Sequence, residues 1–266
     1  MDDGTQLAVV ILAAGKGKRM RSDLPKVLHP LAGRPMIQYV LDAARPLHPA
    51  RLIVVIGHQG DRVRAALNGQ DVLFVEQAER LGTGHAVLQA RQAASGCEAV
   101  MVLYGDMPLL QSATLESLWQ CYLLGASPLA MLVVVDEASR GFGRIIRDTR
   151  RHVQAIVEEA ECTPEQRAIR ELNPGVYCFE ASWLWPQLTQ LPLHPGKGDR
   201  GEYFLTDLVA VAAGQGHTVV DLVSHEPGEA LGINSPEHLA EAEALLLRRS
   251  AHSGQEGAGG RYAHTR

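Results

Sequence analysis

The sequence predicts an α/β protein: a doubly wound, mostly parallel sheet with a small antiparallel addition in the second half. Three observations point there. Near-continuous Val/Ile/Leu runs recur through the first half, and stretches with apolar residues at helical spacing separate them. The first run ends in a loop of glycines and cations, Leu12-Ala-Ala-Gly-Lys-Gly-Lys-Arg-Met20. Strands buried on both faces read as continuous apolar runs. Their alternation with helices implies parallel strands joined by crossovers, a Rossmann-like arrangement.

Segments 7–13, 52–57, 72–75, 99–104 and 129–135 read as strands, with helices at 36–45, 61–67, 83–94 and 113–124. Sheets of this kind bind ligands outside the carboxyl ends of their strands. Residues 15–19 and the pair Gly105-Asp106 both fall there. The second half is less regular. Segments 143–146, 153–157 and 175–179 are short strand candidates around an acidic, turn-rich stretch at 158–165, and read as an antiparallel cover for the pocket. Helices at 203–213 and 235–248 flank a strand at 218–223, with Ser235 as cap and Pro236 at the first helical position. Residues 250–266 lack periodicity and are expected to be a disordered tail, which leaves 1–249 as the single domain.

Composition narrows the function. A formal net charge of −5 lacks the basic footprint of a nucleic-acid binder, so a cationic loop in this acidic chain suits a small anionic ligand. No apolar run is long enough to cross a membrane. The start, Met1-Asp2-Asp3, is acidic where a secretory signal is basic, so a cytoplasmic protein is expected. Cys97, Cys121, Cys162 and Cys178 form no Cys-x-x-Cys pair and read as small side chains in a reducing compartment.

Of the four lysines, Lys16, Lys18 and Lys26 crowd the loop after the first strand. Glycines there let backbone N–H groups approach a ligand, and the cations suit phosphate. The dinucleotide fingerprint fails because Met20 takes the third glycine position, and no Gly-Lys-Ser/Thr completes a Walker loop. What stands is Gly15-x-Gly17-x-Arg19-Met20, four residues, then Pro25-Lys26. This pattern resembles the signature of the sugar-phosphate nucleotidylyltransferases, and its Ala13-Ala-Gly-Lys-Gly wording is closest to the N-acetylglucosamine-1-phosphate uridylyltransferases. The resemblance runs over roughly residues 6 to 248. It implies that Leu12, Ala13, Ala14, Gly15 and Gly17 wrap the nucleotide, and that Arg19 and Lys26 are catalytic cations stabilising charge on the triphosphate. Lys16 and Lys18 would add supporting charge.

Gln77-Ala-Glu-Arg-Leu-Gly82-Thr83-Gly-His85 is a second constellation. Alone it is an ordinary turn and helix start; in this order it resembles the uridine-reading stretch of the same family, with Gln77, Gly82 and Thr83 facing the base. His85 is read as packing on its helix. Tyr104-Gly105-Asp106-Met-Pro108 follows the most apolar strand. Its carboxylate is well placed for Mg²⁺, which prefers one or two carboxylates with phosphate and water oxygens. By resemblance Asp106 and Asn234 are the metal ligands.

On the sugar side, Gly141-Phe-Gly143-Arg-Ile resembles the family's Gly-Tyr-Gly-Arg-Ile. The resemblance implies that Tyr104, Gly143, Glu158 and Asn173 contact the amino sugar. One departure is Pro174, which stands where the family usually has Thr and removes a backbone donor. Residues 201–207 also match, and read mainly as the start of a packed helix, with closure over the sugar as the alternative.

The implied activity is that of a UDP-N-acetylglucosamine diphosphorylase using UTP and a sugar 1-phosphate. A sugar 1-phosphate is already an anion near neutral pH, so no Ser/His/Asp base is needed. Alternatives are another sugar 1-phosphate or nucleotide, such as glucose 1-phosphate or dTTP, or a non-catalytic nucleotide-sugar sensor. Two-function relatives continue into a hexapeptide-repeat acetyltransferase domain. The sequence holds no such repeat, and a monomer or weak dimer is expected.

Overall fold

The seven residues of β1 (Leu7–Ala13) are all buried, as a strand covered on both faces requires. A computed structural model describes residues 4–138, 141–195, 201–224 and 226–258. After β1 come a short hairpin, β2 (Pro30–Leu31) and β3 (Arg34–Pro35), and then α1 (Met36–Ala44). The pattern continues through β4 (Arg51–Ile56), α2 (Gly60–Ala66), β5 (Leu73–Glu76), α3 (Thr83–Gln89), β6 (Ala99–Tyr104), α4 (Ser112–Leu124) and β7 (Leu129–Val135). The second half adds β8 (Gly143–Arg147), β9 (Val153–Val157), α5 (Pro164–Arg167), β10 (Glu171–Asn173), β11 (Tyr177–Glu180) and α6 (Ala181–Leu188). It ends with α7 (Asp207–Gly214), β12 (Val220–Ser224) and α8 (Pro236–Ala258).

Strand side chains alternate between faces, and the core divides accordingly. Leu7, Val9, Ile11 and Ala13 of β1 join Met101 and Leu103 of β6 in one cluster, covered by α1, α2 and α4. Ala8, Val10 and Leu12 join Val100 and Val102 in the other, covered by α3, α6 and α7. Helices on both faces make the sheet doubly wound. Strands β5, β4, β1 and β6 are parallel neighbours in that order.

β11 is not part of a cover. It lies inside the sheet, antiparallel between β6 and β7. Its residues Tyr177, Cys178 and Phe179 are fully buried, as a central strand demands. β12 pairs in parallel with the other side of β7. The antiparallel addition, β10, β8 and β9, branches from the end of β7, where Leu172 faces Val134 and Glu171 faces Val135. It is one sheet with the core.

Other boundaries shift for local reasons. The helix expected at 203–213 begins only at Asp207, because Glu202 and Tyr203 are tied by backbone bonds to His194, Leu81 and Gly84 and the chain then turns into the helix. The last helix runs beyond the expected 248 to Ala258, and residues 259–266 of the expected tail lie outside the described residues. α8 anchors through Ala242 and neighbouring leucines to a third cluster containing Met20, Leu31, Leu109 and Ile233. No helix of the described residues is long and apolar enough to cross a membrane. All four cysteines are free.

Arg147 ties the antiparallel branch to β12. Its guanidinium is 8% exposed and donates to Glu171 at 2.8 Å and bidentately to Asp221 at 3.1 and 2.6 Å. Removing one member of a buried pair leaves its partners uncompensated. Arg147→Met is expected to destabilise the fold by about 2–3 kcal/mol, read as a lowered Tm and urea midpoint; an unchanged midpoint would refute the clamp.

Candidate active site

A cavity of about 500 Å³ opens at the carboxyl ends of β1 and β6, where an open α/β sheet places its ligand. Its walls include Leu12, Ala13, Ala14, Gly15, Arg19, Lys26, Gln77, Gly82, Thr83, Tyr104, Asp106, Gly143, Glu158, Asn173 and Asn234. Segments 222 residues apart in sequence thus meet in one space, from Leu12 to Asn234. Gly17 stands behind the wall. It has φ +59°, and a Cβ there would come within 2.7 Å of the Lys26 Cβ, so its place is to seat the lysine stem. Lys16 is exposed, and the Lys18 side chain lies outside the described residues.

The cationic corner is built by backbone. Pro25 leads into a single 3₁₀ turn, Lys26–Leu28, whose buried Val27 and Leu28 turn Lys26 toward the pocket. The Gly105 N–H donates to the Leu12 carbonyl at 3.0 Å, so the loop after β6 closes on the end of β1. Asp106 follows at once. Its own carbonyl accepts from the Ile233 N–H at 2.9 Å, which brings Asn234 alongside. The Lys26 ammonium pairs with the Asp106 carboxylate and donates to Asn234 Oδ1 at 3.0 Å. A carboxylate oxygen and an amide oxygen therefore converge on one cation. That donor set suits Mg²⁺, which takes few protein oxygens and completes its shell with water and phosphate.

At the second corner, Gly82 precedes α3 with φ +94°. A Cβ at this position would lie 2.5 Å from the Tyr203 carbonyl oxygen, so only glycine permits the close crossing. The Tyr203 N–H donates to Leu81 and the Gly84 N–H to Tyr203, at 2.8 and 2.9 Å, while Thr83 Oγ1 accepts from the Leu205 N–H. This lashing explains the late start of α7. It also brings Glu202, Phe204 and Thr206 into the wall, none of which was singled out as a site residue. Their signal lay in the recognised stretch 201–207, hidden by its reading as helix.

The third corner joins β10, β8 and the end of β9. Asn173 Oδ1 accepts from the Gly175 N–H at 3.1 Å and from the Tyr177 hydroxyl at 2.9 Å. Pro174 sits between, at the bend where β10 passes toward β11, and its missing N–H is not needed by this turn. Arg144, 1% exposed, bonds the Phe142 carbonyl and lies 3.5 Å from Glu159, which steadies the Phe142-Gly143 wall. Glu158 accepts from Thr206 Oγ1 at 3.0 Å. Burial, opposed by that bond and joined by repulsion from Glu161, Asp207 and Glu202, raises its pKa. Burial also raises the Tyr104 pKa, and nearby Glu158 reinforces it, so the phenol stays neutral. Arg80 and Phe142 also line the wall and were not anticipated as site residues.

Helix-covered strands with a cation-bearing cavity at their carboxyl edge are the arrangement of an α/β protein that takes an anionic ligand at its strand ends. The pattern of the MobA-like NTP transferase domain matches residues 9–253, and the chain belongs to that family. It is 46% identical over 246 residues to the bifunctional protein GlmU of Cupriavidus pinatubonensis, covering 91% of this chain and 52% of that protein. Bifunctional GlmU of Heliobacterium modesticaldum is 47% identical over 241 residues, 90% of this chain and 52% of the relative. The chain thus spans about half the length of these relatives. The fold matches a nucleotidyl transferase from Methanothermobacter thermautotroptrophicus with TM-score 0.62 and 22% identity, covering 92% and 99% of the two chains. It also matches CMP:2-keto-3-deoxy-manno-octonic acid synthetase complexed with CTP, with TM-score 0.67 and 19% identity over 92% and 100%.

The raised pKa of Glu158 has a stability consequence with a definite sign. A neutral Glu158 favours the native state below its unfolded pKa, and that contribution is lost as pH rises through the higher folded value. Glu158→Gln keeps a group able to accept from Thr206 but cannot ionise. Its stability relative to the parent should therefore rise with pH above the unfolded pKa and level off once pH exceeds the raised folded pKa. Thermal melts of both proteins across this range test it; a pH-independent difference would refute the assignment.

Proposed function

We propose that this chain transfers UMP from UTP to N-acetylglucosamine 1-phosphate, giving UDP-N-acetylglucosamine and pyrophosphate. The observation that carries the reading is the position of Lys26, Asp106 and Asn234 in one cavity with the Gln77–Thr83 and Glu158–Asn173 corners. The α-phosphate belongs where the two substrates meet. Relatives nearly half identical in sequence are named as bifunctional GlmU proteins, which supports a sugar-nucleotide product.

In this mechanism a phosphate oxygen of the sugar 1-phosphate forms a bond to the α-phosphorus of UTP. The bond from that phosphorus to the bridging oxygen breaks in line, and pyrophosphate leaves with its electron pair. The attacking oxygen is already anionic, so the protein's work is alignment and charge stabilisation. Arg19 and Lys26 face the phosphates and stabilise the charge that spreads over them in the transition state. Gln77, Gly82 and Thr83 hold the uracil; Tyr104, Gly143, Glu158 and Asn173 hold the amino sugar. Asp106 and Asn234 would hold Mg²⁺, which would supply further neutralisation of phosphate charge. UTP and the sugar phosphate are the only partners this chemistry requires, and a monomer or weak dimer suffices.

Pyrophosphate release measured over a panel of sugar 1-phosphates and NTPs tests the reading. N-acetylglucosamine 1-phosphate with UTP should give the highest kcat/KM; preference for glucose 1-phosphate or dTTP would replace it. Nucleotide-sugar binding without turnover would indicate a sensor instead. Asp106→Ala keeps the backbone bond to Ile233, so it should fold normally yet lose about 10³-fold or more in kcat. Substantial turnover, or a lowered Tm as the sole effect, would overturn its assigned role.

A further inference from the structure

We propose that His85 is a positioning residue for base selection: it holds the Gln77 amide with its oxygen, not its nitrogen, toward the pocket, so that uracil is preferred to cytosine. The inference rests on reading this corner as the nucleobase subsite. Gln77 is 4% exposed and lines the cavity. Its Nε2 lies 3.0 Å from the Gly82 carbonyl oxygen and 3.2 Å from His85 Nδ1. A carbonyl can only accept, so the nitrogen must be the atom facing Gly82. The second amide hydrogen then points at His85 Nδ1, which must carry no proton. Oε1, without a hydrogen-bond partner among the described residues, is left for the ligand.

The other side of the ring decides whether this can hold. Gln89 Nε2 lies 3.1 Å from His85 Nε2 and 3.2 Å from the His85 carbonyl. Two amide nitrogens thus face a neutral ring that can accept at only one nitrogen. The Gln89 nitrogen is fixed by the His85 carbonyl as the Gln77 nitrogen is by Gly82; but Gln77 is buried and Gln89 half-buried, so Gln89 is the side chain that gives way, and water takes the Nε2–H in its place.

An acceptor facing the base suits uracil, whose N3 carries a hydrogen. Cytosine has a lone pair at N3 and would meet Oε1 as a second acceptor. Loss of the His85 acceptor frees one Gln77 hydrogen and weakens the preference for this orientation. His85→Asn places an amide oxygen near the site of Nδ1 and should preserve it; His85→Leu should not.

The experiment measures UDP and CDP dissociation constants by calorimetry, and kcat/KM for UTP and CTP, in the full chain and both variants. The parent should favour uridine nucleotides by about 10²-fold or more. The ratio should fall about tenfold in His85→Leu and be restored in His85→Asn. A parent that discriminates while His85→Leu keeps the full ratio overturns the proposal and spares the uridylyltransferase reading. A parent without uridine preference overturns both. The ¹⁵N shifts of His85 in the unmodified protein, assigned by difference from His85→Asn, give a readout independent of how the leucine variant folds. An Nε2–H tautomer is expected; an Nδ1–H tautomer would overturn the proposal.

Discussion

The site depends on one register: Leu12 at the end of β1 lies opposite Tyr104 at the end of β6. Parallel pairing makes both strands finish at the same edge, so their two loops emerge side by side. The Gly105 N–H bond to Leu12 draws those loops together. Lys26 and Asp106 become neighbours although 80 residues separate them. A one-residue slip would turn every side chain of the strand to the opposite face and break both core clusters, so burial guards this register.

Around that junction the backbone orients three amides. Asn234 donates through Nδ2 to the Gly232 carbonyl at 3.3 Å and offers its oxygen to a cation. Asn173 accepts at Oδ1 from the Gly175 N–H and offers its nitrogen. Gln77 donates to Gly82 and offers its oxygen. A backbone N–H can only donate and a carbonyl can only accept, so each side chain's free end has a set polarity before any ligand arrives. Preorganised dipoles of this kind favour the charge distribution they were built around, because little reorganisation is needed during reaction.

The apolar runs made much of the fold legible. The limits of β1, β6 and β7 agree with the sequence reading residue for residue, because near-continuous burial leaves no polar interruption to misplace an end; those of β9 agree as well, although its Gln154 is exposed. β11 was harder. Its apolar run identifies a strand, but nothing local reveals insertion between β6 and β7; that depends on pairing partners more than 40 residues away. The short β10 and the eight-residue α6 carried too little periodicity to stand out. At the site, every anticipated residue except Gly17 lines the cavity. Glu202, Phe204 and Thr206 escaped because their conformation is imposed by bonds to residues 81–84 rather than by local preference.

By itself the sequence determined the alternation of strands and helices, the buried faces, and the residue types available for phosphate, cation, base and sugar. Those follow from local periodicity and from motifs whose spacing survives without coordinates. Only the tertiary structure decided that Asp106 and Asn234 converge on Lys26, that Gly17 supports a lysine rather than lining the cavity, and that His85 touches Gln77. Such contacts join segments through the sheet and the loop crossings, and direction and distance between distant residues are properties of the folded chain alone.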